Sequence, residues 1–156
     1  ACERASTFAA IVAVAGSNQA STTPGCTPSL PVPMLQIHGT EDPCWGYDGR
    51  IRESLCGNDS EGLFVSVDQS MTFWLDHNGC TGTREEALAN GTMDGTVSTR
   101  ITGNACRADT EHIRIDGGGH TWPGGFPYLD ASRVGRVATD FSGNEILWAF
   151  LRTHTR

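Results

Sequence analysis

Residues 8–15 read Phe-Ala-Ala-Ile-Val-Ala-Val-Ala and are closed by Gly16. Eight consecutive apolar positions carry neither the stripe of a surface helix nor the polar alternation of a half-solvated strand. They suit a strand buried on both faces, as in a parallel sheet covered on each side. Val32-Pro33-Met34-Leu35-Gln36-Ile37 is a second run of this kind, and 33–38 reads as the next strand. Two helices stand out. Over 66–77 the apolar positions Val67, Met71, Trp74 and Leu75 share one face, Ser66 and Gln69 make a capping box, and Asn78-Gly79 makes a stop. Over 142–152 Ser142 and Glu145 make a second box, with Ile146, Leu147, Phe150 and Leu151 on one stripe. Residues 111–116 read as the last strand. Strands alternating with helices predict an α/β fold, a mostly parallel sheet with crossover helices, over a single domain spanning residues 1–156.

The remaining segments read as connections. Residues 1–6 look like the tail of a helix, and 17–31, rich in Ser, Thr, Pro and Gly, like a loop. Residues 42–62 read as a long polar excursion pinned by Cys44 and Cys56. The polar stretch 81–104 holds one Thr-rich alternation, 96–102, which predicts an edge strand.

The formal charge of −7 argues against a nucleic-acid partner, whose phosphates demand a basic face. All 11 basic residues are arginines, so lysine Schiff-base chemistry is excluded. The longest apolar stretch is far shorter than the roughly 20 residues of a membrane span. Six cysteines occur, Cys2, Cys26, Cys44, Cys56, Cys80 and Cys106, with no C-x-x-C among them. This disfavours zinc ribbons and thioredoxin-like sites and favours three disulfides in a secreted protein over six reduced, buried thiols. Fifteen pairings are open to six cysteines; the sequential one, Cys2–Cys26, Cys44–Cys56 and Cys80–Cys106, is the simplest. Asn58-Asp59-Ser60 and Asn90-Gly91-Thr92 are formal glycosylation sequons. Neither a metal nor a cofactor is expected.

Two segments carry chemistry. The first is His38-Gly39-Thr40-Glu41-Asp42-Pro43, directly after the second apolar run. An Asp just past a strand's C-terminal end lies where open α/β sheets place their sites. It can orient a histidine through Nδ1–H and stabilise the imidazolium, although Asp-Pro is also a common turn. The second is Gly117-Gly118-Gly119-His120-Thr121-Trp122-Pro123-Gly124-Gly125, whose glycines leave the backbone free to place the His120 imidazole as a general base. Carboxylate before histidine is the order of a Ser…Asp…His triad, whose serine sits on G-x-S-x-G. No such pentapeptide occurs in the 156 residues. Ser17 and Ser142 lie on no elbow-like sequence, and Ser142 already has a capping role. Trp45, Trp122 and Phe126 flank the two segments and suit either a substrate pocket or the core. His38 reads as a buried structural histidine. His77 suits a helix C-terminus, and His112 and His154 have no supporting context.

In 38–42, 74–80, 117–124 and the closing 140–150 segment, the chain resembles the secreted esterases of the polyhydroxybutyrate depolymerase and feruloyl esterase type, a disulfide-containing branch of the α/β-hydrolases. The resemblance implies Asp42 as triad acid, His120 as triad base, and Cys80–Cys106 as a linked pair. It implies a serine-ester mechanism on an ester substrate outside the cell. It also implies that the early strands, the oxyanion loop and the nucleophile elbow fall upstream of Ala1, so that the chain is the C-terminal portion of a partial α/β-hydrolase. A missing N-terminal half, or a second copy of the chain, would then be its partner. The rival expectation is a non-catalytic, hydrolase-derived module that self-associates or binds through an uncovered sheet.

Overall fold

The computed structural model describes residues 1–19, 23–52, 56, 64–88 and 93–155. Both glycosylation sequons lie outside them, as does much of the excursion after Asp42. A five-stranded sheet organises the chain, in the order β1-β2-β5-β4-β3. The strands are β1 Ile11–Val14, β2 Met34–Gly39, β3 Thr83–Ala87, β4 Val97–Gly103 and β5 Thr110–Asp116.

The sheet is mixed, which corrects the expectation of a mostly parallel sheet with crossover helices. β1 and β5 flank β2 in parallel, whereas β4 is antiparallel to both β5 and β3. The described helices number three and are short: α1 Val67–His77, α2 Ala131–Val134 and α3 Gly143–Leu151. The error lies in the polar stretch 81–104. β3 reads Thr-Arg-Glu-Glu-Ala and is exposed throughout, so it gives no apolar signal, yet it pairs with β4 residue for residue. The Thr-rich segment is consequently an inner strand, and β3 is the edge. Between β1 and β2 the described residues hold one short 3₁₀ turn and no crossover helix.

Two further expectations change. Residues 1–6 form turns, tied by Arg4 N–H to the Ala1 carbonyl and Thr7 N–H to the Arg4 carbonyl. The apolar run after Phe8 is half-buried, with only 11–14 in the strand. β1 stands at the end of the sheet with β2 on one side, so its apolar side chains lack a second neighbouring strand among the described residues.

β2 is buried at every position, and its two faces differ. Leu35 and Ile37 join Ile113, Ile115, Ala138 and Phe150 in the core beneath α3. Met34 faces the opposite side, where Val32, Ala5 and Trp74 of α1 pack. The two-residue strand period places Gln36 and His38 on that second face with Met34. Register sets His112 of β5 beside Gln36, so an apolar-looking strand carries a buried polar row.

Both longer helices begin as their sequences dictate. Ser66 and Gln69 form a reciprocal capping box, and the Ser142 hydroxyl accepts the Glu145 N–H. Asn78 is more than a stop signal. Wholly buried, its amide accepts from Val32 N–H and donates to the Val32 carbonyl and Thr110 Oγ1, tying α1 to β2 and β5. Disulfides join Cys2–Cys26, Cys44–Cys56 and Cys80–Cys106, and among the described residues there is no free cysteine. No described helix is long and apolar enough to cross a membrane.

Candidate active site

Because β2 and β5 are neighbours and run the same way, their C-terminal loops leave the sheet side by side. Thr40 N–H donates to the Ile115 carbonyl, Glu41 N–H to the Gly118 carbonyl, and Gly117 N–H to Thr40 Oγ1. The far side of the glycine loop is tied to the segment after α2, through Gly119 N–H to the Arg136 carbonyl and His120 N–H to the Val134 carbonyl. Glycine is required here at two points. Gly117 has φ +78°, and a Cβ on Gly119 would overlap the Val134 carbonyl oxygen and the Gly135 backbone.

These ties bring Asp42 and His120 together across 78 residues of sequence: His120 Nδ1 lies 2.9 Å from Asp42 Oδ2. The carboxylate is 1% exposed. Its Oδ1 accepts the backbone N–H groups of Cys44 and Trp45, at 2.8 and 2.7 Å. Burial opposes its charge, but hydrogen bonds from His120, His38 and the Trp45 backbone outweigh that penalty and hold Asp42 below the usual carboxylate range. An ionised acceptor places a proton on His120 Nδ1, which leaves Nε2 with the lone pair. The imidazole is 31% exposed, and Nε2 makes no hydrogen bond among the described residues. Such an arrangement can take a proton from a hydroxyl at Nε2 and return it to a leaving group.

The surroundings are largely aromatic. Trp45 stacks on Phe64 at 3.6 Å between ring centroids, and its Nε1–H donates to Ser17 Oγ. A cavity of about 310 Å³ is lined by these two rings with Ile51, His120, Leu129 and Val134, the Cys44–Cys56 bridge and Tyr128. The Tyr128 hydroxyl donates to the His120 carbonyl. Burial and the Asp42 charge raise the Tyr128 pKa. Trp122 lines a separate, smaller recess of about 190 Å³ beside His120 and is held by Nε1–H to Asn144 Oδ1. Phe126 is almost fully exposed and lines neither.

Other candidates are accounted for. The Ser17 hydroxyl donates to the Val65 carbonyl, and that of Ser142 caps α3. His77 binds the Leu30 carbonyl and His154 pairs with Asp109. Cys44 lies within 4.8 Å of ligand atoms of Asp42 and His120. Its sulfur is bonded to Cys56, so two donors of this group remain among the described residues, short of the three protein ligands of a catalytic zinc. Sequence reasoning missed Phe64, Leu129, Val134 and Tyr128, which come from separate segments with no shared pattern. It also passed over Gln36, whose signal was visible as the one polar residue inside the apolar run 32–37.

Over an alignment of 143 positions that covers 84% of its length, the chain is 32% identical to a protein of Nocardia uniformis subsp. tsuyamanensis named "Putative esterase NocK". It spans 40% of the length of that relative. No family model matches the chain. The relationship is esterase-like at this general level.

Proposed function

We propose that this chain carries the acid and base of a carboxylic-ester hydrolase of the polyhydroxybutyrate depolymerase or feruloyl esterase type. The observation that supports this most is the 2.9 Å bond from His120 Nδ1–H to the buried, ionised Asp42. His120 Nε2 removes the proton of a serine hydroxyl as its oxygen attacks the ester carbonyl, and Asp42 stabilises the imidazolium so formed. Nε2–H then protonates the departing alkoxide. A water, deprotonated at Nε2 in the same way, attacks the acyl-serine; the carbon–Oγ bond breaks, Nε2–H returns the proton to the serine oxygen, and the acid leaves. The cavity beside Trp45 suits an apolar acyl or aromatic group, and the recess at Trp122 a second substrate segment. The Nocardia relative's name and the motifs at 38–42 and 117–124 support the same reading.

The serine belongs to a segment beyond these 156 residues, because none of the G-x-S-x-G type is present. Activity of the isolated chain is therefore weak or nil, since a triad works as a unit. Three disulfides suit a secreted protein. The test is hydrolysis of short p-nitrophenyl esters by the chain, alone and mixed with the complementary N-terminal segment of an esterase of this type. In the mixture, wild type is compared with His120→Ala and Asp42→Ala; equal rates in all three there end the assignment.

One observation favours a second reading, a self-associating or binding module. β1 presents the apolar side chains of 11–14, half-buried, at the end of the sheet, and an open apolar edge invites pairing. Sedimentation showing a monomer at high concentration refutes it.

A further inference from the structure

We propose that Gln36 and His38 are positioning residues, a directed chain of hydrogen-bond donors that runs from the Gly16 carbonyl to the Asp42 carboxylate and holds it facing His120. The functional meaning of this chain rests on the esterase reading; its geometry does not. Gln36 Nε2 donates to the Gly16 carbonyl, just beyond β1. A carbonyl can only accept, so the amide is oriented by that bond. The same NH₂ group lies 3.1 Å from His38 Nδ1, which is thereby the acceptor nitrogen. The imidazole proton sits on Nε2. From there it is donated to the Trp45 carbonyl at 2.7 Å, with Asp42 Oδ2 at a longer 3.4 Å.

The 42–45 turn is thus held at both ends. Trp45 N–H grips Asp42 Oδ1 while His38 grips the Trp45 carbonyl. Asp42 Oδ2 lies between two rings of different standing: His38 is fully buried, and His120 is partly open to solvent. With its Nδ1 facing an amide donor, His38 adds a hydrogen at the carboxylate without adding a second imidazolium to compete with that of His120. Gln36 Oε1 is buried with no partner among the described residues. Buried polar atoms are rarely left so, and aiming the NH₂ at both Gly16 and His38 accounts for it.

The test is NMR of the isotope-labelled chain, which needs no ester turnover. In wild type, His38 carries its proton on Nε2 with Nδ1 bare, and the His120 Nδ1 proton is observed, protected from water. Gln36→Leu and His38→Leu speed exchange of that His120 proton roughly tenfold, the scale of losing one hydrogen bond. His38→Gln, whose amide reaches the place of the ring's Nε2–H, restores protection. The proposal is overturned by a proton on His38 Nδ1 in wild type, by an unprotected wild-type His120 proton, or by unchanged exchange in the leucine variants. Should His38→Leu fail to fold, the wild-type tautomer and Gln36→Leu decide. Absence of ester hydrolysis by the mixture with the complementary N-terminal segment, beside an intact NMR response, ends the esterase reading and leaves this one standing.

Discussion

His112 adds an acid sensitivity of its own to that of the carboxylates. It lies on β5, 3% exposed, stacked on Tyr47, with Nε2 buried and without a partner among the described residues. Burial above all, helped by the Arg114 charge, pushes its pKa from 6.5 down to about 3. Between those values the unfolded chain holds a proton that the folded chain refuses. Stability from this residue is therefore complete above pH 6.5 and falls as the pH drops toward 3. The slope approaches about 1.4 kcal/mol per pH unit, so acidification from neutrality to about pH 4.5 costs about 2.7 kcal/mol. Glu111 and Asp140, both raised by burial, work in the opposite direction. Asp42 and Asp94, both lowered by their hydrogen bonds despite burial, act below the usual carboxylate range. Comparison with His112→Phe cancels these shared terms. Urea unfolding at about pH 7.5 and about pH 4.5 should show wild type losing more stability than the variant by about 2 to 3 kcal/mol. An equal loss in both proteins refutes the argument and removes His112 as the source of the slope.

Three other perturbations have defined outcomes. Asn78→Ala leaves the Val32 N–H, the Val32 carbonyl and Thr110 Oγ1 each short of a partner; thermal unfolding should show a loss of about 2 to 4 kcal/mol. Gly119→Ala drives a methyl into the Val134–Gly135 backbone and shifts His120, so any ester hydrolysis reconstituted with a serine-bearing segment should drop about a hundredfold while unfolding stays cooperative. Replacing Cys80 and Cys106 together by serine opens a loop of 26 residues, and denaturant midpoints should report a loss of about 3.5 kcal/mol.

Much of the local structure was legible in the residues. The capping box at Ser66 and the N-cap hydroxyl of Ser142 set the starts of α1 and α3, because those bonds form within one turn of chain. The motifs around Asp42 and His120 announced candidate chemistry through composition: a carboxylate at a strand end and an imidazole among glycines. What escaped were the strand pairings and buried polar contacts whose energy comes from partners distant in sequence. β3 has no apolar pattern and is a strand because β4 lies beside it. β1 looked like an interior strand and stands at the end of the sheet. Gln36 looked like an interruption in an apolar run until His38 and the Gly16 carbonyl were placed around its amide.

Sequence by itself determined which segments are strand or helix where hydrophobic period and caps agree, and which two side chains are the candidates for an acid and a base. Tertiary structure alone decided that β2 and β5 are parallel neighbours. That adjacency brings residues 42 and 120 within one hydrogen bond. The physical reason is that period and capping are short-range, whereas strand order is settled by backbone pairing and burial summed over the whole sheet.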